Sequence, residues 1–164
     1  MKIIWVVNAS PLISLGRIGR LDLLEAPDRI LNVPEAVATE VLAGPATDPA
    51  RQALEAGFGG KPTTTAVDLR VVEWGIGAGE TAVVSQALLA GSTAVLDDGR
   101  ARAAASVLGV KVIGTLGVVL NARLARRIES AANVLRALRD AGMRLDDATI
   151  TSALRRTVGE NWNA

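Results

Sequence analysis

The chain has 164 residues, of which 49% are hydrophobic and 21% are charged, which indicates one globular domain and excludes a disordered protein. It contains no cysteine and no histidine, so disulfide frameworks, zinc fingers, thiolate nucleophiles and imidazole bases are excluded. The net charge of +1 conceals an acidic part, residues 1–99 with 7 basic and 12 acidic side chains, and an arginine-rich remainder with 11 basic and 5 acidic side chains.

Predicted strands and helices alternate along the chain. Apolar, partly β-branched runs predict strands over 3–7, 30–33, 71–72, 93–96 and 110–113, and the first strand is followed by a turn at 8–11. Capping residues and glycine stops predict helices over 35–44, from 49 to 57 or 59, over 79–90, from 98 or 99 to 108, over 115–127, over 130–142, and from 146 onward. This alternation predicts a single domain over 1–164, a three-layer α/β/α sandwich around a mainly parallel five-stranded sheet.

The apolar runs are short. Every one is interrupted well before the roughly 20 residues that a membrane span needs, and the apolar run at the start is too brief for a signal-peptide core. We therefore expect a soluble, cytoplasmic protein with no membrane segment.

Five polar residues lie at predicted strand ends or on nearby helices. Asn8 ends the first strand, Asp97 and Asp98 end the fourth, Glu80 lies in the first turn of one helix and Glu40 lies late in another. Ligands of open parallel sheets bind at the carboxyl ends of the strands, so these side chains would converge if the two strands are neighbours. Clustered carboxylates need a cation, and oxygen ligands suit Mg²⁺ or Mn²⁺. Two such ions about 4 Å apart support phosphodiester hydrolysis.

Each of these residues also has a purely structural interpretation. Glu40 fits a helix surface, Glu80 complements a helix dipole, Asp98 fits a helix N-cap, and Asn8 before Ser-Pro fits an Asx-turn. Asp97 is the hardest of the set to explain in this way.

Five segments in order carry a family resemblance. They read VVNASPLI at 6–13, VPEAVATEV at 33–41, GAGE at 77–80, VLDDGRAR at 95–102 and VIGTLG at 112–117. From residue 3 to about 157 the chain resembles the PIN-like nucleic-acid-binding proteins, and more closely the subgroup found as toxins beside small antitoxins.

The resemblance implies an α/β/α sandwich with metal-dependent ribonuclease activity. By position, Glu40, Glu80, Asp97 and Asp98 match the acidic residues that hold Mg²⁺ or Mn²⁺ in the family. Asn8 departs from the broader pattern, which has aspartate there, and would act as a neutral ligand or would orient water. The partners implied are RNA and a small antitoxin. Arg100 and Arg102 would then hold the RNA backbone.

A homodimer is a further option. The apolar faces around Leu135, Leu138 and Leu154 could form its interface, or they could equally belong to the core.

Two alternatives stay open. The first is the same fold acting as a catalytically weakened nucleic-acid- or protein-binding module, because Asn8 removes a charge. The second is a dinucleotide-binding domain, since Gly77-Ala78-Gly79-Glu80-Thr81-Ala82 fits G-x-G-x-x-[GA] after a predicted strand. Against it, Glu80 would occupy the helix N-terminus where a pyrophosphate should bind.

Overall fold

A parallel sheet of four strands lies at the centre of the fold. The computed structural model describes residues 1–163, and its strands are β1 (Ile3–Val7), β2 (Arg29–Asn32), β3 (Thr93–Val95) and β4 (Lys111–Ile113). Their order is β2-β1-β3-β4, and every pair is parallel. The register aligns Val7 of β1 with Val95 of β3, and Val95 with Ile113 of β4. Three strands therefore end at the same edge of the sheet.

Helices flank this sheet on both faces. They are α1 (Ala9–Arg17), α2 (Glu35–Leu42), α3 (Pro49–Glu55), α4 (Leu69–Val72), α5 (Ala78–Ala90), α6 (Gly99–Val107), α7 (Thr115–Leu124), α8 (Ala131–Asp140) and α9 (Asp147–Thr157), with a 3₁₀ turn at Leu21–Leu24. Helix α5 contacts β1 and β3 and packs against α2 and α6, whereas α1 packs with α7 and α8. Since right-handed crossovers from β1 to β2 and from β3 to β4 step in opposite directions, α1 and α6 cover opposite faces. The predicted α/β sandwich is confirmed.

The number of strands was predicted wrongly. The sheet has four strands because Val71 and Val72 belong to the short helix α4. The Asp68 side chain accepts a hydrogen bond from the backbone N–H of Arg70 at 2.9 Å and so caps this helix. Val71 is buried while Val72 is exposed, and two apolar residues are too few to distinguish a strand from a helical turn.

The turn predicted after β1 is also wrong. Helix α1 begins directly at Ala9, and Pro11 lies in its first turn, where no intrahelical N–H donor is required. Leu12 and Leu15 are fully buried at helical spacing. The Asn-Ala-Ser-Pro sequence therefore starts a helix, and the Asn8 side chain makes no capping hydrogen bond to it.

The C-terminal helices contribute to the core. Leu135, Leu138 and Leu154 are fully buried, so the apolar faces considered for self-association belong to the interior of the domain. Between residues 1 and 163, none of the helices combines the length and the apolar character needed to cross a bilayer.

Glu160 joins the C-terminal segment to the N-terminus of α8. Its carboxylate accepts hydrogen bonds from the backbone N–H groups of Ala131 at 3.0 Å and Ala132 at 2.8 Å, and from the Arg123 Nε at 3.0 Å. Burial alone would raise the pKa of Glu160, but these donors outweigh it and hold the pKa below its usual value. The ionised carboxylate therefore stabilises the folded protein.

We expect Glu160→Gln to lower the free energy of unfolding at pH 7 by about 1–3 kcal/mol, because charged hydrogen bonds are lost. Since the folded pKa is lowered, the wild type has this stability above the ordinary glutamate pKa and loses it as the pH falls toward the folded pKa. Urea unfolding at pH 7 and pH 3 measures both effects. Glu129→Gln, an exposed neighbour, is the matched control. An equal loss at both pH values would contradict the assignment.

Candidate functional site

The carboxyl edge of β1 and β3 brings the first of the candidate residues into position. The two strands are neighbours, and the backbone N–H of Asn8 donates to the carbonyl of Val95 at 2.9 Å. Asn8 is 2% exposed. Asp97 is only two residues beyond Val95, so Asn8 and Asp97 both lie at the carboxyl edge of the sheet.

Asn8, Glu40 and Glu80 meet around Gly79. The Asn8 Nδ2 donates to Glu80 Oε1 at 3.3 Å. A Cβ atom built on Gly79 would lie 2.7 Å from Glu40 Oε2 and 3.1 Å from Asn8 Oδ1. Helix α5 approaches this closely because residue 79 lacks a side chain, and α2 brings Glu40 from the opposite direction.

Among the ion pairs of the described residues, none joins Glu40 or Glu80 to a basic side chain. Glu40 is exposed as a whole residue, yet its carboxylate is partly shielded from water, and this desolvation followed by the charge of Glu80 raises the pKa of Glu40. A cation bound between the two carboxylates would offset their repulsion and lower the pKa of Glu40.

The Asn8 Oδ1 atom has no hydrogen-bond partner among the described residues. A buried amide oxygen without a partner costs free energy, so it calls for an explanation. A side chain at Gly79 would meet both this oxygen and Glu40 Oε2. A divalent ion such as Mg²⁺ or Mn²⁺, which prefers oxygen ligands, would satisfy the amide oxygen and neutralise the carboxylates. Asn8, Glu40 and Glu80 are therefore the residues that fit a metal ion.

Asp97 lies in a separate hydrogen-bonded group at the same edge. Its Oδ1 accepts from the backbone N–H of Thr115 at 2.7 Å, and its Oδ2 accepts from the hydroxyls of Thr115 at 2.6 Å and Ser10 at 3.3 Å. Thr115 is buried at the start of α7, immediately after β4. These donors fix the orientation of the Asp97 carboxylate.

Ser10 and Thr115 are site residues that the sequence did not reveal. Thr115 was predicted only to cap a helix, although its place after a strand and a glycine in the VIGTLG segment was a usable signal. Ser10 was assigned to a turn that does not exist.

Asp98 and the two arginines differ in their environments. Asp98 is exposed and caps α6, accepting from the backbone N–H of Ala101 at 2.9 Å. Arg100 is exposed, and Arg102 is half-buried with its Nη1 donating to the carbonyl of Leu96 at 3.1 Å. Across residues 1–163, no three acidic side chains form a cluster that could hold a metal ion. The predicted set is thus divided into the group around Gly79, the Asp97 group and the Asp98 cap.

The surroundings of Gly77 do not suit a dinucleotide. The segment before it is the helix α4 instead of the strand that the fingerprint requires. A side chain at Gly77 would collide with the carboxylate of Glu80, so an acidic group occupies the N-terminus of α5 where a pyrophosphate would have to bind.

Comparison with known proteins places the chain in a family. A family model described as a PIN domain matches residues 4–159. The chain belongs to the PIN domain family. PIN domains have a nuclease-like fold and generally use divalent metals. No curated protein and no solved structure matched the chain.

We expect Glu40→Gln to raise the melting temperature of this PIN domain in EDTA at pH 7. Because the folded pKa of Glu40 is raised, the wild type loses stability as the pH rises from the ordinary glutamate pKa through the folded value. The Glu40→Gln variant is neutral at every pH and does not lose this stability. Below about pH 4, where Glu40 is also protonated, the two proteins should have the same melting temperature.

Calorimetry at both pH values, with and without excess Mn²⁺, measures this difference. Metal binding stabilises only a protein that has the site, so Mn²⁺ should raise the melting temperature of the wild type more than that of the variant. Glu129→Gln is the control. A Glu40→Gln protein that melts below the wild type at pH 7 in EDTA would contradict the repulsion.

Proposed function

We propose that this PIN domain is a Mg²⁺- or Mn²⁺-dependent endoribonuclease and the toxin of a toxin–antitoxin pair. The single observation that carries the proposal is the buried, unpartnered Oδ1 of Asn8, which faces Gly79 as the Glu40 carboxylate does, on an amide that is hydrogen-bonded to Glu80. Nuclease chemistry in a chain without histidine or cysteine depends on such oxygen groups. The RNA substrate and the antitoxin partner are proposed from the family resemblance.

Asn8, Glu40 and Glu80 would hold the ion. A bound divalent ion would lower the pKa of a water molecule and stabilise negative charge on the phosphate. Asp97 would orient the attacking water, since its carboxylate is held by Thr115 and Ser10 and still has acceptor sites to offer. Arg102 and Arg100 would bind phosphates of the RNA backbone.

We assign Asp97, and not Asp98, to the reaction. Asp97 is half-buried next to the strand end of Asn8, whereas Asp98 is exposed and its Oδ1 already caps α6. An exposed cap contributes to helix stability without any role in chemistry.

We expect Glu80→Gln and Asp97→Asn each to lower Mn²⁺-dependent RNA cleavage by more than about 100-fold, because the loss of a supporting group around a metal site alone costs 10–100-fold. Asp98→Asn is the matched control, since asparagine is an equally good N-cap, and it should cleave like the wild type. Cleavage of a single-stranded RNA with and without Mn²⁺ measures this. Equal cleavage by all four proteins would defeat the proposal.

A second candidate function is a catalytically silent binding module with the same fold. The observation that favours it is the neutral amide of Asn8, which contributes no charge to metal binding. The Asn8 Nδ2 also donates a hydrogen bond to Glu80, and this bond restrains the Glu80 carboxylate.

We expect Asn8→Asp to tighten Mn²⁺ binding on the order of tenfold, because an added carboxylate attracts the ion across a short distance. The same change should lower the melting temperature in EDTA, since it replaces the donor to Glu80 with a third negative charge. Calorimetric titration with Mn²⁺ and thermal melting measure the two effects. Asp98→Asn again serves as the control. If the wild type binds no Mn²⁺ at millimolar concentration and only Asn8→Asp gains cleavage, the binding-module alternative holds.

A further inference from the structure

A groove adjoins the Asp97 end of the candidate site. Its volume is about 470 Å³, within the range of roughly 300–1,000 Å³ typical of small-molecule sites. It runs from the end of β4 along α7 to the start of α9. Its lining includes the charged side chains of Asp97 and Arg102, which lie near each other at Gly114, the apolar side chains of Ile113, Leu116 and Leu145, and the exposed Thr149 of α9.

The polar end of the groove lies on both sides of Gly114. A Cβ atom on Gly114 would be 2.7 Å from Arg102 Nη1 and 3.0 Å from Asp97 Oδ1. The absence of a side chain at this position lets a guanidinium and a carboxylate of the site stand side by side at the entrance of an apolar groove.

The Arg102 guanidinium has N–H donors without an acceptor among the described residues. Among the described residues, its guanidinium makes one hydrogen bond, from Nη1 to the carbonyl of Leu96 at 3.1 Å. That bond fixes the side chain to the end of β3, while Nε and Nη2 stay available next to the groove. A guanidinium oriented in this way suits an oxyanion such as a phosphate.

We propose that this groove binds the nucleoside next to the scissile phosphate of the RNA, with Arg102 on that nucleoside's phosphate. The assignment rests on the proposed function, and it names a subsite that determines how the strand is positioned. The apolar side chains would contact the flat faces of a base, and Thr149 at the rim would face its edge. With aliphatic walls, the contact tolerates all four bases.

An apolar peptide is the competing occupant. An apolar peptide side chain would cover the apolar wall, but it would leave the free donors of Arg102 unmatched at the entrance. A nucleotide matches both the wall and the guanidinium, so the charges favour the nucleotide.

Methyl-labelled NMR in EDTA tests the assignment directly. We expect 5′-AMP and 5′-UMP, added separately, to shift the methyl signals of Ile113, Leu116 and Leu145, and to leave Leu89, exposed on α5, unchanged. Inorganic phosphate alone should perturb the Arg102 Nε signal without moving the methyl groups. If the groove methyl signals do not shift at saturating nucleotide, the nucleoside assignment is overturned and a peptide is favoured. If phosphate shifts them as much as nucleotide does, the assignment is also overturned, because the groove then binds phosphate alone.

A pair of variants on α9 gives a second readout. Thr149→Trp places a large side chain at the groove rim, while the backbone N–H of residue 149 can keep its 2.9 Å hydrogen bond to Asp146. We expect about tenfold weaker binding of a fluorescent single-stranded RNA in EDTA, the size of one lost base contact. Thr157→Trp, also exposed and on the same helix, is the matched control and should bind like the wild type.

The two proposals fail in different ways. The nucleoside assignment alone is overturned if the two tryptophan variants bind RNA equally well and nucleotide does not shift the groove methyl signals, while cleavage still depends on Mn²⁺, Glu80 and Asp97. If cleavage ignores Glu80→Gln and Asp97→Asn, the ribonuclease function fails, whatever the groove binds. Melting temperatures of both tryptophan variants show whether a lost affinity comes from unfolding.

Discussion

The pairing of β1 with β3 is the constraint on which the candidate site depends. Residue 8 and residue 97 are far apart in the chain, yet the register that aligns Val7 with Val95 brings the two strand ends together. The hydrogen bond from the Asn8 N–H to the Val95 carbonyl extends this pairing by one residue. Every other contact of the site, from Glu80 on α5 to Thr115 on α7, is built around this edge.

The candidate site combines an unpartnered amide oxygen with two carboxylates that repel each other. Asn8 Oδ1 has no hydrogen-bond partner among the described residues, and the charge of Glu80 adds to the desolvation that raises the pKa of Glu40. Natural proteins retain such local conflicts where function needs them and offset them elsewhere. The close approach at Gly79 shows how the conflict is maintained, since any side chain there would push Glu40 and Asn8 apart.

The C-terminal region has both a structural and a proposed functional part. Glu160 caps the N-terminus of α8, and Trp162 donates to Asp147 at 2.9 Å at the first residue of α9. The Trp162 contact ties the C-terminal segment to α9, and Thr149 of the same helix lines the groove that we propose for the nucleoside.

From the amino-acid sequence alone, the parallel sheet covered by helices, most of its strands and helices, and the residue types available for chemistry could be predicted. Apolar runs, caps and glycine stops place β2, β3 and β4 within one residue of their observed ends, because those signals are local. Local signals failed at Val71-Val72 and at Ala9–Arg17, where two valines and an Asn-Ala-Ser-Pro segment are compatible with more than one structure. The three-dimensional structure was needed to show that Asn8 lies with Glu40 and Glu80 around Gly79, that Thr115 and Ser10 hold Asp97, and which of the two interpretations of Asp98 is right. These outcomes depend on strand register and on how closely α5 approaches at Gly79, which are distances between segments remote in sequence that no local pattern encodes.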